Sequence, residues 1–247
     1  MIKRKKANEI VLFSYPAFVR ELEALADPAY RQFHLGIMKT QYYFYGVSTP
    51  KLKKMATAIF KTGCLPFLEY AEENGFDSYE QLMIFGFLLG KMKDGEELEE
   101  HIPYFLEAVD NWAICDQTAS AMRFFSKNRE EYLDFINAFL EDDRPYVRRF
   151  AFSCLIFQFK TAEYAGPALA AALENQESLL CVSAAKAWLF QTFYTIVPEE
   201  VRLALFQGIA NGQMIGLPDE KTKKRTLQKM RDSLRVSNED KQLYFRG

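Results

Sequence analysis

Four strongly apolar helical segments recur at a nearly constant interval in this 247-residue chain. They open at Tyr79, Trp112, Tyr146 and Leu180, at steps of 33, 34 and 34 residues, with YEQLMIFGFLLG, WAICDQTASAMR, YVRRFAFSCLIF and LCVSAAKAWLFQ. Segments this apolar need cover on more than one side. More polar helical stretches, 130–140 and 163–173, lie between them. A repeat of one apolar and one polar helix buries its apolar member only by stacking on the next repeat. The period therefore predicts an all-α chain, a HEAT-like or armadillo-like α-α superhelix (solenoid) with a concave, partly basic groove. A single repeat domain over 1–247 is expected, with a short basic segment at 1–9 and a basic helix at about 219–236.

Local signals agree with helices throughout. Ser14 with Pro16, Thr49 with Pro50, Ser78, Asn111 and Pro198 with Glu199 and Glu200 each place a capping side chain or a first-turn proline before an apolar-periodic run. Gly63, Gly75, Gly95, Asn128 and Gly212 read as stop signals. With only 12 Gly and 9 Pro, a many-turned β-sandwich is excluded, and no convincing period-two strand stands between turn signals. The longest apolar stretch, Met83 to Gly90, is less than half of a membrane span, and the run after the basic N-terminus is too short for a signal peptide.

The distribution of charge matters more than its sum. The 31 basic and 33 acidic residues nearly cancel. Yet no acid falls in 31–67, 144–162 or 221–231, which together hold sixteen of the basic residues, among them Lys39, Lys51, Lys53, Lys54, Arg148, Arg149 and Lys160. Such segregation creates a positive surface on a mildly acidic protein and suits a phosphate backbone, although any one basic run can equally be a solvated helix face.

Most catalytic signatures are missing: GxGxxG, the Walker loop, GxSxG and HExxH do not occur. Cys64, Cys115, Cys154 and Cys181 are widely spaced, with only His34 and His101 to join them, so neither a zinc site nor a disulfide framework is expected. They read as small buried hydrophobes of a cytoplasmic protein. One acid is out of place. Asp116 lies in the apolar WAICDQTASAMRFF, one turn after Trp112, and a carboxylate there costs free energy unless it is hydrogen-bonded or functional. Arg149 opens the next apolar helix, and Trp188 lies in the one after that. Each also has a structural reading, as core indole or inter-helix bridge.

The chain resembles the DNA alkylation repair family of HEAT-like repeat glycosylases. The residues that carry the likeness are MKTQYYFYGVSTPKLKK (38–54), DNWAICD (110–116), RRFAFSCLIFQFK (148–160) and AAKAWLFQTFY (184–194), in the family's order and over roughly 15–210. The resemblance implies excision of positively charged N3- or N7-alkylated purines from duplex DNA, without metal or organic cofactor; a monomer is expected. It implies Asp116 as the catalytic carboxylate and Trp112 and Trp188 as the indoles flanking the lesion. It implies Arg149 as a contact to the DNA beside it, and the acid-free basic stretches, with Arg148, Lys39, Lys51, Lys53, Lys54 and Lys160, are expected to track the duplex without sequence preference. Two departures stand out: Ile37 where some members carry tyrosine, and an acidic balance where the glycosylases are commonly basic. A non-catalytic binder of branched or distorted DNA and a protein-binding helical scaffold are the alternative readings.

Overall fold

The computed structural model describes residues 13–246, so the basic segment at 1–9 lies outside the described residues. The chain is all-α and HEAT-like, and its helices fall into two compact units, the first ending at Ala108 and the second beginning at Val109.

The first unit contains α1 (Tyr15–Leu25), α2 (Pro28–Ile37), α3 (Thr49–Thr62), α4 (Leu65–Asn74), α5 (Tyr79–Leu89) and α6 (Gly95–Ala108). Its centre is α5, buried at every position, which is what its nearly unbroken apolar sequence requires. The Ser78 hydroxyl accepts from the Gln81 N–H, as its capping position predicts. Glu80, wholly buried on α5, accepts backbone hydrogen bonds from Tyr45 at 3.1 Å, Gly46 at 2.8 Å and Val47 at 3.1 Å. Burial pushes its carboxyl up, and those three N–H groups act against the shift. The tyrosine-rich segment before α3 is thereby pinned to the core. Gly46 has φ of 92°, and a β-carbon there would lie 2.6 Å from Cβ of Arg31, so the approach of this segment to α2 requires glycine.

The second unit contains α7 (Trp112–Ala121), α8 (Arg123–Lys127), α9 (Arg129–Ala138), α10 (Pro145–Gln158), α11 (Ala165–Glu174), α12 (Leu180–Tyr194), α13 (Pro198–Gln207), α14 (Glu220–Asp232) and α15 (Asn238–Tyr244). The repeat openers α7, α10 and α12 pack each on the next, and α12 packs on α14. Inter-helix hydrogen bonds reinforce the row: Gln158 Nε2 donates to the Ala119 carbonyl at 2.7 Å, and Cys115 Sγ donates to that of Tyr146 at 3.3 Å. Cys115 and Cys154 are fully buried and burial raises both thiols, so they behave as hydrophobes. Lys186, wholly buried mid-α12, donates to the Asn175 carbonyl and to Asp219 Oδ2 at 2.7 Å. Asp219 in turn caps α14 by accepting from the Thr222 N–H at 2.9 Å.

Three sequence expectations change. Gly95 begins α6 rather than ending a helix. Gly212 is a turn residue: Asn211 and Gly212, with φ of 51° and 71°, connect the two-residue strands Ile209–Ala210 and Gln213–Met214, an Asn-Gly hairpin where only helices were expected. The helix expected at 219–236 ends at Asp232 and is followed by α15. No described helix is long and apolar enough to cross a membrane.

Candidate functional site

Asp116 and Arg149 meet in the second unit. The Asn111 side chain caps α7 by accepting from the Ala113 and Ile114 N–H groups, which fixes the helix start and projects Asp116 one turn beyond Trp112. On the neighbouring α10, Arg149 reaches back: its Nε donates to Asp116 Oδ1 at 3.1 Å and its Nη2 to Oδ2 at 2.7 Å. The remaining terminal nitrogen, Nη1, donates to the Cys181 carbonyl of α12 at 2.8 Å. One guanidinium thus ties three successive repeat helices together. The side chain of Arg149 is 9% exposed and that of Asp116 14%, so the pair lies at the edge of the core.

Ser153, which the sequence reading missed, completes the site. Its hydroxyl donates to Asp116 Oδ1 at 2.7 Å. The four-residue step from Arg149 to Ser153 puts both on one face of α10, the same step that relates Trp112 to Asp116 on α7. That spacing was the available signal, hidden because a serine among FAFSCLIF reads as a small core residue.

The indoles occupy different settings. Trp112 is 38% exposed at the start of α7. Trp188 is half-buried and meets Phe157 edge-on, ring centroids 5.2 Å apart. Arg148, next to Arg149, turns away from Asp116: its ion pair to Glu177 is long at 3.5 Å, and its Nε is buried without a partner among the described residues. Lys160 is exposed just past α10. Lys39, Lys51, Lys53 and Lys54 are exposed in the first unit, where Lys51 donates to the Leu25 carbonyl and Lys53 lies over the Phe87 ring. Among the described residues no three His, Cys, Asp or Glu side chains converge as metal ligands.

The fold and this braced acid define an all-α helical-repeat protein with a carboxylate held at a repeat junction. A family model described as DNA alkylation repair enzyme matches residues 18–205, and the chain belongs to that family. The crystal structure of smu.31 from Streptococcus mutans UA159 superposes with a TM-score of 0.59 at 17% identity, covering 86% of this chain and 98% of that one, a likeness of fold. No curated protein matches the chain significantly.

Proposed function

We propose that the protein is a DNA glycosylase that hydrolyses the N-glycosidic bond of N3- or N7-alkylated purines, with Asp116 as its catalytic carboxylate. The observation that supports this best is the bonding of Asp116: a carboxylate on an apolar helix, held by a guanidinium and a hydroxyl, in a chain of the DNA alkylation repair family. A purine alkylated at N3 or N7 carries positive charge and leaves without prior protonation. The chemical need is then for negative charge beside the deoxyribose as oxocarbenium character develops, and for an oriented water. Asp116 supplies the charge, and the exposed face of Trp112 offers a surface that attracts a cation.

The bonding of Arg149 modifies its expected role. A guanidinium has five N–H donors, and three are engaged with Asp116 and Cys181, so the bidentate fork faces the acid in the free protein. One N–H on each terminal nitrogen remains for a phosphate of the lesion strand. Engaging it draws positive charge away from Asp116 and leaves the carboxylate more negative toward the sugar. Arg148, with its weak partner, is the better simple phosphate contact.

A second reading has its own observation. An acid whose two oxygens both bind one arginine of the next repeat is also how a structural strut is built, and on that reading the chain binds branched or distorted DNA without releasing base. Incubating the protein with duplex DNA containing 7-methylguanine or 3-methyladenine and assaying free base separates the two. Release by wild type, lost in Asp116→Asn, supports the glycosylase; no release from either lesion overturns it.

A further inference from the structure

The geometry points to Ser153 as a positioning residue that holds Asp116 in register without neutralising it, an inference that rests on the glycosylase reading. Serine and threonine hydroxyls inside helices commonly bond to a carbonyl three or four residues back. Thr57, Ser120, Ser126, Ser183 and Thr226 all do so in this protein. Ser183 is the telling case, because it is wholly buried on α12, as Ser153 is on α10. Ser153 instead gives its only proton to a carboxylate on another helix, 37 residues away in sequence and 2.7 Å away in space.

The acceptor arithmetic shows what this does. A carboxylate offers about four acceptor positions, two on each oxygen. On Oδ1 both are filled, by Arg149 Nε and Ser153 Oγ; on Oδ2 one is filled, by Arg149 Nη2. One position on Oδ2 is left for a water or a sugar. Without the serine, Oδ1 would offer a competing position and the attacking water would have two places to bind. The two braces also differ in charge. Arg149 orients the carboxylate and cancels part of its field, whereas the neutral hydroxyl orients it and leaves the negative charge intact. When a DNA phosphate draws on Arg149, the Ser153 bond keeps the carboxylate in place.

The test is single-turnover release of 7-methylguanine by wild type, Ser153→Ala, Ser153→Thr, Asp116→Asn and Ser153→Ala/Asp116→Asn, with DNA affinity and thermal melting of each. Ser153→Ala is expected to slow the chemical step about tenfold at unchanged DNA affinity, the loss of one hydrogen bond to a charged group. Ser153→Thr, which keeps the hydroxyl, should retain most of the rate. In the Asp116→Asn background, Ser153→Ala should have no further effect on the rate, because the serine acts only through the acid; a purely structural serine would slow both backgrounds alike. A folded Ser153→Ala protein that releases base as fast as wild type overturns the inference and leaves the glycosylase reading standing. Absence of release by wild type overturns the glycosylase reading, and the role of Ser153 with it.

Discussion

Two ion pairs of the second unit, Asp116 with Arg149 and Lys186 with Asp219, are each 33 residues apart in sequence and 2.7 Å apart in space, and each joins one row helix or its cap to the next. At the second pair the hydrogen bonds serve to join α12 to α14. The ammonium of Lys186 is wholly buried and donates to Asp219 and to the Asn175 carbonyl, while Asp219 caps α14. At the first pair the order is reversed, the acid preceding the base in the chain, and the acid accepts from three described donors, two on Arg149 and one on Ser153. The same repeat spacing thus makes a fastener at one junction and a candidate site at the other. What distinguishes them is the base: the Lys186 ammonium is wholly buried, whereas Arg149 keeps some exposure and, among the described residues, an unengaged N–H on each terminal nitrogen.

The largest effect is expected at the fastener. Asp219→Ala leaves a buried ammonium without its counter-charge and removes a helix cap, which should cost about 3–5 kcal/mol and lower Tm by roughly 10 °C or more. Lys186→Met/Asp219→Asn removes both charges, keeps a capping side chain, and should recover most of that loss. Calorimetry on the three proteins checks this, and if the double variant melts as low as the single one, the pair is not the fastener described here.

At the site, Asp116→Asn should reduce base release about 10²-fold or more, some 2.7 kcal/mol of barrier, and also lower Tm by a few degrees, because the amide no longer compensates the mostly buried Arg149. A loss of stability with full excision activity would make the two pairs alike and end the contrast.

The neighbouring arginines separate next. Arg148→Gln should reduce the slope of log affinity for duplex DNA against log salt by about one at unchanged Tm. Arg149→Gln should lower Tm as well, since it strands Asp116. Equal melting temperatures for the two would show that the Asp116 brace carries no stability.

The smallest effect concerns acid. Burial alone would raise the Asp219 carboxyl, but hydrogen bonds from Lys186 and Thr222 outweigh it and hold the group below the usual carboxylate range. A folded value below the unfolded one means that its contribution is complete above about pH 4 and is lost as pH falls through the folded value. For Lys186, burial pulls the ammonium down against the attraction of Asp219, a cost that persists at neutral pH. Wild type should therefore lose more stability between about pH 4 and pH 2 than Lys186→Met/Asp219→Asn, by urea unfolding at each pH.

Much of this architecture was legible in the sequence. The period placed the starts of α5, α7 and α12 at Tyr79, Trp112 and Leu180, and α10 at Pro145, one residue from the expected Tyr146. Ser78 and Asn111 cap as their positions imply, because capping depends on residues adjacent in the chain. The same period also identifies partners, since one step from Asp116 reaches Arg149 and one step from Lys186 reaches Asp219. Lys186 carries the same signal, since a lysine within AAKAWLF is as anomalous as an aspartate within WAICDQT. Ser153 was illegible for a different reason: its role depends on which way one hydroxyl points across two helices. The hairpin was missed because Gly212 was read alone, and the Asn-Gly dipeptide that specifies the turn was not.

The Glu80 carboxylate has a consequence for amide hydrogen exchange. Tyr45, Gly46 and Val47 lie outside any helix, where N–H groups ordinarily exchange with water quickly, yet all three are bonded to a wholly buried acceptor on α5. Their exchange has to wait for an opening that withdraws Glu80 from the core, so these amides should exchange at the slow rate of α5 itself, and the segment opens together with that helix as one cooperative piece.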